Sequence, residues 1–484
     1  MSSPLENLEP KLIWEHFDQI RQIPRPSEHE EAVRNHVKTW ADQRNFPWAV
    51  DKVGNICVRV PATKGHESAQ TIILQGHLDM VPEKDADFEF DFLKDPIPCR
   101  VDGDFVIADK TTLGADNGIG IAAGMAIADD ETSVHGPLEL LFTIEEETGL
   151  TGATDLDPKL ISGKLLLNLD SEEDGVLFVG CAGGCTCEIS FDLPRVEIPA
   201  DYCGVKLEIT GLKGGHSGLS IIENRANSIK VLSRVLGCWM HESPVLVGSI
   251  YGGNKHNAIP RETTAIVAMP KNFFDKAVAI AAEEKDKIFT EFKTIDDGLT
   301  ITVSQTTCDI AASSEASRTL DALLTALPDG VSSMSRDIAG LVETSSNLAI
   351  IKTEGDTIQI TTSSRSSVAS GLRGVLNEGM AVCMLAGAKY TEVGAYPAWQ
   401  PNMASRLLQT CKDAFNKLYG RDPGVTAIHA GLECGIIGEK IGKGADMISF
   451  GPELHGVHAP GEKIRVSTVA KFWDFLKQIL ADLA

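Results

Sequence analysis

Apolar runs of strand length alternate with amphipathic stretches along the first third of the chain. Residues 8–22 carry a helical period. A second helix is predicted to open at Ser27, with Glu30 three residues on in the arrangement of a capping box. Strand-like runs follow at 55–60 (NICVRV), 71–76 (TIILQG), 138–144 (LELLFTI) and 163–170 (GKLLLNLD). Between them, residues 116–129 (DNGIGIAAGMAIAD) have the small side chains of a buried helix. Apolar strands separated by helices predict an α/β, mostly parallel sheet covered on both faces.

The texture changes after about residue 186. VKLEITGL, the helix-like ENRANSIKVLSRVLGCWM, TTAIVAMP and FDKAVAIAAEEKDKIFTEFK read as α+β, and a similar order recurs at TIQITTSSRSS and VASGLRGVLNEGMAVCMLAG. Two related modules are expected in this middle part. The α/β character then returns with amphipathic 402–420, strand-like VTAIHA, ADMISFGP and a helix over about 466–483. The predicted organisation is a first α/β part at 1–186, an inserted domain at 187–393 and a second α/β part at 394–484. Length agrees: 484 residues exceed the roughly 250–300 that one hydrophobic core sustains.

Composition narrows the function. A formal net charge of −24 disfavours nucleic acid and anionic membrane as partners. The N-terminal stretch lacks a basic segment followed by an apolar run, and no stretch approaches the roughly 18 apolar residues of a membrane span. The 11 cysteines, an odd number, fit free thiols in a reducing cytoplasm. Cys181, Cys185 and Cys187 in CAGGCTC lack a fourth metal ligand and fall in a strand-like run, so buried thiols are expected there.

The chemistry-bearing residues sit where apolar runs end. His77 and Asp79 close LQGHLDM, spaced to share a strand face, and a carboxylate beside an imidazole can orient a metal ligand. A surface turn is an equally good reading of that pair. Asp116 could cap a helix. Glu145, Glu146 and Glu147 could line a solvated loop, although adjacent carboxylates repel unless a cation is near. Asp170 ends NLD, and His455 and His458 follow another apolar run, where each could be plain loop surface. Together, two histidines and three carboxylates match the ligands of two zinc-like ions bridged by a carboxylate. Such a pair, about 3.5–4 Å apart, clamps a hydroxide and polarises a carbonyl, and a further glutamate supplies a base.

The motifs GHLDMVP, TTLGADNGIG, EEETG, NLDSEE, GLKGGHSG, GGNKHNAIPRE, GAYPAWQP, HAGLECG and GVHAPGE resemble those of the aminoacyl-histidine (Xaa-His) dipeptidases. That family is part of a co-catalytic zinc peptidase superfamily that includes the carnosinases, and the resemblance runs from about residue 8 to 480. It implies a dipeptidase acting on Xaa-His dipeptides such as carnosine, with two divalent ions per subunit. Zinc is expected, and manganese or cobalt could serve. His77 and Asp170 would hold one ion, Glu147 and His458 the other, and Asp116 would bridge them, its peptide to Asn117 often being cis in such families. Asp79 would orient His77, and Glu146 would be the general base. The inserted domain would be a lid and homodimer interface. In it, His216 would stabilise the oxyanion, and Asn257 and Arg365 would bind the substrate carboxylate. Glu433 is a weaker candidate for the substrate's amino end. A deacylase, aminopeptidase or carboxypeptidase on the same scaffold is the alternative.

Overall fold

Continuous apolar runs become strands buried along their whole length. Ile72–His77 and Leu138–Thr143 are buried at every position and pair in parallel, from Ile72 with Leu138 to His77 with Thr143. Leu165–Asn168 joins the other edge of Ile72–His77 in parallel, and Asp446–Ser449 extends the set in parallel. These four are the centre of an eight-stranded sheet. Its order is Trp48–Val50, Ile56–Val60, Leu138–Thr143, Ile72–His77, Leu165–Asn168, Asp446–Ser449, Val176–Cys181 and Gly424–Ile428.

The expectation of a mostly parallel sheet needs correction, because the sheet is mixed. Ile56–Val60 runs antiparallel to both of its neighbours, and Val176–Cys181 pairs antiparallel with Asp446–Ser449. Parallel pairing needs a long crossover, whereas a short connection gives a hairpin. Helix Ala115–Asp129 lies in the connection from Ile72–His77 to Leu138–Thr143, while residues 51–55 merely turn the chain from Trp48–Val50 into Ile56–Val60. That helix is buried almost throughout, because its small side chains let it lie close on the strands.

The computed structural model describes residues 3–484, so the first two residues of the N-terminal stretch lie outside the described residues. The chain forms two units. The first comprises residues up to Gly180 with Pro401–Ala427 and Leu432–Ala484; the second is Cys181–Gln400 with Ile428–Gly431. Unit 2 is built on a nine-stranded sheet whose recorded pairings are all antiparallel. Helices Ser228–Glu242 and Phe274–Phe292 pack on it through Leu232, Leu236, Trp239, Ala277 and Ile288. From Tyr202 to Thr306 two longer strands, Leu246–Gly252 and Thr263–Pro270, lie between two helices, whereas from Ile310 to Tyr396 three strands, Gly330–Met334, Val342–Glu354 and Thr357–Ser366, lie between two helices. No disulfide links cysteines among the described residues, and Cys181, Cys185 and Cys187 are buried.

Two local features differ from the sequence pattern. The second helix begins at Glu31, and Ser27 does not cap it. Its hydroxyl instead donates to Asp79 Oδ2 at 2.8 Å, while Glu30 Oε1 accepts from the backbone N–H groups of Glu28 and Glu145. A long-range acceptor has displaced the local cap.

Candidate active site

The carboxyl ends of the four parallel strands deliver the site. His77 ends Ile72–His77, Glu146 and Glu147 lie in the turn after Leu138–Thr143, Asp170 follows Leu165–Asn168, and His458 lies in the loops after Asp446–Ser449. Asp116 enters from the first turn of helix Ala115–Asp129, where its backbone is non-helical and its peptide to Asn117 is cis. This end of an open α/β sheet is where loops diverge and ligands gather.

Asp116 stands in the middle. Its Oδ1 lies 3.0 Å from His77 Nε2, and its Oδ2 lies 3.1 Å from His458 Nε2. Asp170 Oδ1 is 3.4 Å from the same His77 nitrogen, and Glu147 Oε2 is 3.0 Å from that of His458. Two potential ligand groups, His77–Asp116–Asp170 and Asp116–Glu147–His458, therefore share Asp116. Glu146 joins His77 and Glu147 in a third, and in each group the ligand atoms lie within 4.8 Å of one another.

The electrostatics fit cations. Glu147 Oε1 and Asp170 Oδ1 are buried with no hydrogen-bond partner among the described residues, which is costly for anionic oxygens unless a cation meets them. Burial raises the Asp170 carboxyl to about 6 against the opposing pull of His77, and Asp116 and Glu147 add to the rise. Hydrogen bonds to Asp116 and Glu147 raise the His458 imidazole to about 11, so these carboxylates favour positive charge where they converge. Burial pushes Glu146 well above the usual carboxylate range; His77 opposes this, while Asp170, Glu433 and Glu147 add to it. The donor set of imidazole nitrogens and carboxylate oxygens suits zinc and its first-row neighbours.

Supporting groups surround this core. Asp79 is fully buried, with Oδ1 3.3 Å from His77 Nδ1. Its two oxygens also accept from the backbone N–H groups of Glu146 (3.1 Å) and Glu147 (3.2 Å). One carboxylate therefore holds a histidine and the glutamate turn together. Burial would raise Asp79, but its hydrogen bonds, led by His77, bring it down to about 2. Glu433, at the start of helix Glu433–Ile441, is 1% exposed and accepts from Gln75 Nε2 at 2.6 Å and Thr143 Oγ1 at 2.8 Å. His455 lies 2.7 Å from Glu453 Oε1, outside all three ligand groups.

His216, Asn257 and Arg365 belong to unit 2. His216 pairs with Ala258 in a two-stranded ladder, and the N–H of Ser217 donates to the Asn257 carbonyl at 2.8 Å. Both His216 and Asn257 line a cavity of about 650 Å³ in this unit. His216 Nδ1 accepts from the backbone N–H groups of Gly218 (3.2 Å) and Leu219 (3.1 Å), so the ring's proton is on Nε2. Arg365 is buried and donates to Tyr396 Oη at 2.8 Å. His429, which the sequence pattern did not single out, is buried with Nε2 2.7 Å from Ser345 Oγ. Burial and then the Arg365 charge, with a smaller push from His216, lower His429 to about 4. It opens the HAGLECG motif, in which attention fell on Glu433.

Residues 73–482 match the model of peptidase family M20/M25/M40. The chain is 38% identical over 482 residues to the cytosol non-specific dipeptidase of Escherichia coli (strain K12), covering 99% of each. Its fold superposes on the crystal structure of aminoacylhistidine dipeptidase from Vibrio alginolyticus with a TM-score of 0.92 at 39% identity, covering 99% of this chain and 98% of that one. At 16% identity, aminopeptidase PepT from Bacillus cereus shares the fold with a TM-score of 0.58, over 98% of this chain and 99% of that one.

Proposed function

The chain belongs to peptidase family M20/M25/M40 and is a metal-dependent peptidase, and from that premise we propose that it hydrolyses dipeptides, Xaa-His dipeptides among them. The observation that carries this reading is the Asp116 carboxylate held between His77 and His458, each histidine flanked by a second carboxylate. The dipeptidase names of the two relatives near 40% identity support the substrate class.

In the mechanism, His77 and Asp170 would hold one divalent cation, Glu147 and His458 a second, with Asp116 shared. Such cations, zinc in the first place, would polarise the scissile carbonyl and acidify the attacking water. Glu146 takes the proton of that water and returns it to the leaving amine. Asp79 orients His77 and holds the turn that carries Glu146. His216, with its proton on Nε2, donates to the developing oxyanion. Arg365 and Asn257 bind the free carboxylate of the substrate, which limits substrates to very short peptides. Burial of Glu433 against Gln75 and Thr143 favours a supporting role beneath His77 over contact with a substrate ammonium.

Unit 2 is read as the lid and homodimer domain. Met380, Met384 and Leu385, exposed by 39%, 73% and 90% on helix Ala369–Ala386, support a second copy as the partner there. Among the described residues no helix is long and apolar enough to cross a membrane, and a cytoplasmic setting remains our reading.

The test is hydrolysis of β-alanyl-histidine by metal-stripped protein, with and without about two equivalents of zinc. Zinc-dependent release of histidine is expected. Two bound metals without cleavage would overturn the dipeptidase reading and leave the metal centre standing. Amidation of the substrate carboxylate should slow cleavage sharply; equal rates would remove Arg365 and Asn257 from substrate recognition.

A further inference from the structure

Two buried, oppositely charged side chains grip the turn that carries Asp116. Glu462 is 2% exposed and Arg25 is 1% exposed. Glu462 Oε2 accepts from the N–H groups of Leu113 (2.7 Å) and Gly114 (3.0 Å), and Oε1 accepts from Ala115 (2.9 Å) and, more loosely, Asp116 (3.4 Å). From the other side, Arg25 Nη2 donates to the Gly114 carbonyl, while Nη1 donates to the carbonyls of Leu78 (2.8 Å) and Asp79 (2.7 Å). Gly114 has φ +67°, and a Cβ there would lie 2.7 Å from Arg25 Nη2 and 2.8 Å from Met80 Sδ. The turn is therefore shaped to admit the guanidinium.

Glu462 also closes the HAPGE segment that begins with His458. That segment is tied to the same region by Gly461 N–H to the Thr111 carbonyl (3.2 Å) and by Ala108 N–H to the Glu462 carbonyl (3.1 Å).

We propose that Glu462 and Arg25 are positioning residues that clamp the 113–116 turn and so fix the Asp116 carboxylate relative to His77 and His458. The inference rests on the reading of Asp116 as the shared ligand. Both side chains are sealed from solvent and act through the turn. Groups that orient metal ligands typically change metal affinity or activity 10- to 100-fold when removed.

The experiment uses the full chain with Glu462→Gln and Arg25→Lys. The amide of Glu462→Gln turns an N–H₂ toward backbone donors. Arg25→Lys keeps the charge but cannot span carbonyls at residues 78, 79 and 114. Zinc affinity by chelator competition should fall about 10- to 100-fold in both. With saturating zinc, kcat should fall while KM for β-alanyl-histidine stays within a few-fold, and amide exchange at 113–116 should accelerate selectively. Wild-type affinity and exchange in Glu462→Gln would overturn the proposal, as would a harmless Arg25→Lys. Should a variant fail to fold, exchange in metal-free wild-type protein decides. Slow exchange at 113–116 supports the clamp, and loop-like exchange sinks it. The exchange readout needs no peptidase activity, so failure of the dipeptidase reading stays distinguishable.

Discussion

The two units gather opposite charges. In unit 1, Asp79, Asp116, Glu146, Glu147 and Asp170 converge at the strand ends, and two of their buried oxygens lack hydrogen-bond donors among the described residues. In unit 2, Arg365 lies close enough to His216 and His429 to lower both imidazoles, beyond what burial does. The first arrangement is costly without cations and the second favours an anion. Crowded buried carboxylates and a lone buried guanidinium thus differ in the charge that each would bind.

This contrast can be broken by removing one group at a time. The largest effect is expected from Glu146→Gln, which takes away the proton carrier but no residue of the two groups sharing Asp116. Turnover should drop by about 10²- to 10⁴-fold with two metals still bound, checked by steady-state rates beside metal analysis. Near-normal kcat would remove Glu146 as the base.

His429 tests the cationic side through stability. Its folded pKa of about 4 lies below the unfolded value near 6.5, so between those pH values the unfolded chain binds more protons. Stability from this residue is present above about pH 6.5 and is lost as pH falls through 4, by about 3 kcal/mol at most. His429→Gln should flatten that acid limb in denaturant titrations at pH 4–7, and an unchanged slope would mean that the imidazole is not held neutral. A smaller loss is expected from Arg365→Met: about 1.5–3 kcal/mol in kcat/KM, expressed mainly in KM. The same variant should be indifferent to whether the substrate carboxylate is amidated. The smallest effect belongs to charges outside both clusters. Arg234 and Glu291 pair at 2.7 Å with both side chains about half exposed, and Glu291→Gln should cost about 0.2–1 kcal/mol by thermal unfolding.

Much of the site was legible in the chain because strand ends announce themselves. An apolar run closing in His or Asp marks where a buried strand meets the loops, as at His77 and Asp170, while Glu147 and His458 lie further on in the turn and loops that follow such runs. Other features depended on distant partners. Ser27 has the local spacing of a helix cap, yet its hydroxyl goes to Asp79, a far stronger acceptor delivered by another strand. Glu433 is read from the sequence as a weaker candidate for the substrate's amino end, whereas in the fold it is buried and accepts from Gln75 and Thr143. Glu462 closes the GVHAPGE motif, but its role was not legible there, since four backbone N–H groups leave no trace in side-chain chemistry.

The sequence by itself determined the buried strands, the small-residue helix, the ligand types and the inserted segment, because apolar periodicity and residue chemistry are local properties. Only the tertiary structure decided which strands run parallel, where the Ser27 hydroxyl finds its acceptor, and which charged residues are sealed beneath the site. Those outcomes depend on pairings between segments remote in the chain, where long-range hydrogen bonds and shared burial outweigh local preference.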